Sequence, residues 1–157
     1  MSRRRKAIVK ERHPDSRFGS PLVNRLINKV MGQGKKTTAE RIVYGAFDKV
    51  VEKTANPNPL EVLQKAIDNV RPRVEVRSRR VGGATYQVPV EVPMDRQITM
   101  AIRWIVDAAG GRKGAGMRDS LASEILEAYQ GQGNSVRKRE ETHKMAQANK
   151  AFAHFRW

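Results

Sequence analysis

Apolar residues recur with helical spacing along most of this 157-residue chain, and one segment alone changes period. Ala39, Ile42, Val43, Ala46, Phe47, Val50 and Val51 fall at i, i+3, i+4, i+7 and i+8 positions, which line one face of a helix. The same spacing runs through Leu22, Val23, Leu26, Ile27 and Val30, and again through Leu60, Leu63, Ala66, Ile67 and Val70. It returns in Ile98, Ala101, Ile102, Ile105, Val106 and Ala109, and in Leu121, Ala122, Ile125, Leu126 and Tyr129. Start and stop signals agree with these stripes. Ser20-Pro21 opens the first, which Gly32 stops, and Asn58 before Pro59 caps another. Thr37 with Glu40 predicts a capping box, while Gly110-Gly111 and Gly131 close two stripes at their C-terminal ends. A more polar helix is expected from about Ser135 to about Lys150, with Met145 and Ala148 turned inwards. The expected fold is mainly α, a compact bundle of about six helices with short connections.

The exception is residues 73–92. Val74 to Val81 and Tyr86 to Val92 alternate with period two around Gly82-Gly83, which predicts a two-stranded antiparallel β-hairpin. Pro89 has no N–H for a central ladder, so its strand is an edge. A lone ribbon is marginal in water, so its base must pack on the bundle while its outer part, with Arg77, Arg79 and Arg80, protrudes.

Charge follows the same division. The chain carries 31 Lys and Arg against 16 Asp and Glu, a net +15. Residues 1–41 hold +9, residues 71–90 hold +4, residues 111–118 hold +3 and residues 137–157 hold +4, whereas the stripe-bearing blocks between them are neutral or acidic. Cations gathered in arms and loops around a near-neutral helical body point to a polyanionic partner. DNA reading by a recognition helix would place them on a helix face instead. With no Cys there is neither a disulfide framework nor a thiolate metal site, and His13, His143 and His154 lack metal-ligand spacing. No apolar run approaches the ~18 residues of a membrane span, and no secretory h-region follows Met1–Lys6. No catalytic constellation stands out, so the chain reads as a non-enzyme without cofactor, metal or small-molecule substrate.

The candidate RNA-binding residues follow from these patches. Arg3, Arg4, Arg5, Lys6 and Lys10 form a basic N-terminal arm within residues 1–19. Gly32-Gln33-Gly34-Lys35-Lys36-Thr37 fails the Walker spacing, but Lys35 and Lys36 flank a helix start that is either an anion site or a plain turn. Arg112 and Lys113 lie in a glycine-rich loop, either a phosphate contact or a linker. Arg77, Arg79 and Arg80 with Gly82 and Gly83 form the hairpin patch, and Arg137, Lys138 and Arg139 open a basic C-terminal helix and tail, residues 135–157. Tyr44, Phe47, Trp104 and Tyr129 fall on core faces, whereas Tyr86, Phe152, Phe155 and Trp157 have no such assignment. No aromatic-rich strand offers a stacking platform, so recognition of folded RNA by shape and phosphate is favoured.

Longer motifs add a family. Ser20-Pro21-Leu22, Leu26-Ile27, Gly34-Lys35-Lys36, Ile42-Val43 and Ala46 resemble the opening helices of the small-subunit ribosomal protein seven family. Val74–Val90 is similar to that family's hairpin almost residue for residue, and Arg137–Trp157 to its C-terminus. The resemblance, of bacterial type, implies one helical rRNA-binding domain over residues 1–157 with a protruding hairpin. It implies a cytoplasmic, ribosomal protein bound to the 3′ major domain of small-subunit rRNA, in the subunit head near exit-site tRNA and mRNA. Contact with small-subunit ribosomal protein eleven is implied too, as is repression of its own operon in some bacteria. An RNA-modifying enzyme, the rival reading, would need a catalytic cluster that the residues do not supply.

Overall fold

A computed structural model of the chain describes residues 13–54 and 56–155. Among the described residues, six α-helices and one hairpin occur in the order α1 (Pro21–Val30), α2 (Lys36–Thr54), α3 (Pro59–Val70), β1 (Val74–Val81), β2 (Ala84–Glu91), α4 (Met94–Gly110), α5 (Met117–Tyr129) and α6 (Asn134–Ala148). A 3₁₀ turn, Lys150–Phe155, follows. Helix α5 sits centrally, packed by α2, α3, α4 and α6. Its buried residues therefore include Ser120 and Glu124 as well as Leu121, Ala122, Ile125 and Ala128. Phe47, Leu26, Leu63, Ile67, Ile105 and Ile125 are essentially inaccessible, and each such side chain contributes about 1.5–3 kcal/mol through burial. The apolar stripes thus converge on one core.

Local chemistry accounts for the element ends. Asn58 accepts the Leu60 N–H at 3.2 Å and precedes Pro59 at the first position of α3. Thr37 does not cap α2: the helix begins at Lys36, and the Ala39 N–H already bonds the Lys35 carbonyl, so Thr37 lies inside the first turn. In the hairpin Val74 pairs with Glu91 and Val81 with Ala84, leaving Gly82 and Gly83 as the two-residue turn. Their φ angles of +57° and +90° are what a two-residue turn of this hand requires and what side-chain-bearing residues resist.

Three features depart from expectation. First, residues 13–19 belong to the body rather than to an arm. Buried Asp15 accepts the N–H groups of Arg17, Phe18 and Ser20 at 3.1, 2.9 and 2.8 Å, and Phe18 packs edge-on against Tyr44 and Phe47. Second, α6 turns Ser135, Val136, Thr142 and Ala146 inwards, while Met145 and Ala148 are exposed. So few apolar residues leave the phase of this helix to its neighbours. Third, the chain after α6 folds back as the 3₁₀ turn against β2.

Candidate nucleic-acid interface

A basic groove of about 190 Å³ lies between α1 and α4, lined by Arg25, Asn28, Lys29, Thr99, Ile102 and Arg103. Helical spacing of four places Arg25 above Lys29 on α1, and Thr99 above Arg103 on α4. Arg25 bonds Asp95 at 3.0 Å and Lys29 approaches Asp107 at 3.6 Å, whereas exposed Arg103 makes no ion pair among the described residues. The acids of α4 thereby hold the α1 cations along the groove rim.

Next to Asp95, Arg96 leads from this groove to the hairpin. Its guanidinium bonds both oxygens of Glu75 at 3.0–3.1 Å, and Arg77 bonds Glu75 at 2.6 Å. The Glu75 side chain is 8 % exposed, but those of Arg96 and Arg77 are 51 % and 44 % exposed. Burial pushes the Glu75 pKa up; the bonds and charges of Arg96 and Arg77 outweigh it and hold it below the usual glutamate range. One buried carboxylate therefore fixes two partly exposed guanidiniums, Arg96 through its two-pronged face and Arg77 through Nε alone, and leaves their remaining N–H groups for other partners. α1, α4 and the hairpin root share this positive surface. Of its members only Arg77 was expected from sequence. The signal for the others was weak: Arg25 and Lys29 sit four apart beside an apolar stripe, and Arg103 joins them only through tertiary packing.

The remaining expected residues divide by what they touch. Arg3, Arg4, Arg5, Lys6 and Lys10 lie outside the described residues. Lys35 is exposed, and Lys36 approaches Glu40 at 3.8 Å. Gln33 and Gly34, at φ +53° and +74°, form the preceding turn, and the Lys35 and Lys36 amides bond the carbonyls of Gly32 and Gly34. The free donors of that helix start are thus the amides of Thr37 and Thr38. Arg79 does not project into open solvent: it donates to the Phe155 carbonyl, whereas Arg80 faces the other side of the strand and is exposed. Arg112 bonds Glu127 at 2.5 Å and fully buried Glu124 at 2.6 Å, and these bonds, Glu127 foremost, raise its pKa above the ordinary arginine range. Its neighbour Lys113 is exposed. On α6, Arg137 is exposed, Lys138 pairs with Glu141 at 3.5 Å, and Arg139 donates to the Asn69 carbonyl of α3.

Two further spots hold titratable groups. Arg118 lies across Gly45 of α2, where a Cβ would meet its Cδ at 2.6 Å, and reaches Asp119, which Lys49 also bonds. Lys49 foremost, then Arg118, holds the Asp119 carboxyl below its usual range. On α6, the His143 Nε2 accepts the Arg73 N–H at 3.1 Å and is therefore neutral; burial, then the charges of Arg139 and Arg73, lower its pKa. Among the described residues no helix is long and apolar enough to cross a membrane, and no group of three or more acids or histidines could hold a metal ion. The surface as built is suited to binding an extended polyanion at several separated points.

Comparison with known proteins agrees. Residues 2–150 match the family described as ribosomal protein S7p/S5e. A relative from Francisella philomiragia subsp. philomiragia, called small ribosomal subunit protein uS7, is 59 % identical over 157 residues, the full length of both chains. One of the same name from Thermotoga petrophila is 57 % identical over 155 residues, 99 % of each chain.

Proposed function

Because this chain belongs to the ribosomal protein S7p/S5e family, we propose that it is a structural, RNA-binding constituent of the small ribosomal subunit that acts without catalysis. Its site is the 3′ major domain of small-subunit rRNA, in the subunit head, where it nucleates assembly. The mechanism is phosphate neutralisation at separated patches, which pins RNA helices from different parts of that domain to one rigid body. The observation that carries the RNA reading is the positive surface fixed by Glu75, with Arg77 and Arg96 at the hairpin root beside Arg25, Lys29 and Arg103. Lys35, Lys36, Lys113 and Arg137 supply further exposed cations. The N-terminal arginines supply the rest. Arg112 belongs to the body in this reading, because Glu124 and Glu127 occupy its guanidinium.

The hairpin, with Arg77, Arg79, Arg80 and the Gly82-Gly83 turn, reaches towards exit-site tRNA and mRNA, and small-subunit ribosomal protein eleven is a neighbour. Repression of its own operon follows if the messenger presents a similar RNA shape. Arg103→Ala and the double variant Lys35→Ala/Lys36→Ala test the surface. Each phosphate contact removed lowers the slope of log affinity against log salt by ~0.7–0.9. An unchanged slope removes those side chains from the interface.

A further inference from the structure

The outer half of the hairpin needs a support that the bundle does not give it. Its root is fixed by buried Glu75 and Val88, but from Ser78 to Gln87 no residue is buried. A two-stranded ribbon of this length is marginal in water on its own. What lies against it is the C-terminal 3₁₀ turn. The Tyr86 ring sits 5.4 Å from that of Phe152 and 4.8 Å from that of Phe155, both tilted, and Arg79 donates to the Phe155 carbonyl. Arg79 and Tyr86 are cross-strand partners in the register, so one face of the ribbon makes all of these contacts. The turn is anchored in its own right: it follows α6 directly, and α6 packs on both strands.

We propose that Lys150–Phe155 is a positioning element for the hairpin arm, a third layer that holds its outer half at a fixed angle to the body. The Phe155 carbonyl is neutral, so this bond orients the Arg79 guanidinium without itself adding a counter-charge. Phe152 and Phe155 act through Tyr86 and Arg79, so that the arm meets RNA already ordered rather than ordering on contact. The inference rests on the reading that the hairpin contacts RNA, and the two claims separate experimentally.

The test uses the full chain with Phe152→Ala/Phe155→Ala. No residue of the turn is buried, so the core is untouched. Amide exchange in residues 78–87 should accelerate about ten- to a hundred-fold, about one decade for each aromatic pair lost, while α5 keeps its protection. Affinity for a transcript of the rRNA 3′ major domain should fall with an unchanged salt slope, because no cation has been removed. Phe152→Tyr/Phe155→Tyr should retain both properties. Unchanged exchange at 78–87 would overturn the proposal. So would tighter binding with a steeper slope, since the turn would then be a cover over Arg79 rather than its support. Faster exchange with unaltered RNA affinity would uphold the positioning role and remove the outer hairpin from the RNA interface.

Discussion

Replacing Arg112 with Ala separates a structural cation from an RNA-binding one. Glu124 is fully buried, and its carboxylate is met by the Ser135 N–H at 2.9 Å, the Ser135 hydroxyl at 2.7 Å and Arg112 at 2.6 Å. Arg112→Ala leaves that charge buried with only neutral donors. Breaking a buried pair from one side costs about 3–5 kcal/mol, and the low end applies because the Arg112 side chain is 25 % exposed. Stability should therefore fall by about 3 kcal/mol. At about 2–4 °C per kcal/mol for a chain of this size, Tm drops by about 6–12 °C. Denaturant unfolding with a double-mutant cycle against Glu124→Gln measures the coupling, since the second change removes the stranded charge and should recover part of the loss. The salt slope of RNA binding should not change, whereas Lys113→Ala should lower it by ~0.7–0.9 at undiminished stability. A loss below about 1 kcal/mol for Arg112→Ala, or a slope reduced as for a phosphate contact, would refute this reasoning.

Glu75→Gln makes the chain more positive, yet it loosens Arg77 and Arg96; RNA affinity should fall, and a rise would show that charge matters more than placement. Asp15, Glu75 and Asp119 all have lowered folded pKa values, so the fold binds fewer protons than the unfolded chain. Their contribution is complete above the unfolded carboxylate range near ~4 and is lost as pH falls through the folded values. Glu75→Gln should flatten that acid limb in denaturant titrations. The lowered pKa of His143 has the same sign, with its contribution complete above the unfolded value of 6.5 and lost as pH falls through the folded one. His143→Gln, which keeps an acceptor for the Arg73 N–H, should remove the pH dependence of stability at mildly acidic pH.

Helix faces and the hairpin were legible because their signals are local. The stripe around Val43 and Phe47, the Asn58-Pro59 start and the Gly82-Gly83 turn each declare themselves within a few residues, and each occurs in the fold. Much of the interface was not, because it depends on partners distant in sequence. Arg112 reads as a loop cation, yet Glu124 and Glu127, 12 and 15 residues on, claim its head. Asp15 sits in a basic stretch with no local motif around it, although its carboxylate organises the turn before α1. Arg25, Lys29 and Arg103 form one groove only because α1 packs on α4. Tyr86 and Phe155 meet across a chain reversal that no local pattern encodes. Helix α6 lacks the apolar residues to set its own phase, which is why Met145 faces solvent.

The most direct test of the account is binding to a transcript of the small-subunit rRNA 3′ major domain across a salt series, with unrelated RNA of equal length and duplex DNA as competitors. Binding should be tight and survive both competitors and moderate salt, because several patches must match one RNA shape at once. Equal binding to all three polymers, collapsing together as salt rises, would contradict it and leave only a non-specific polycation.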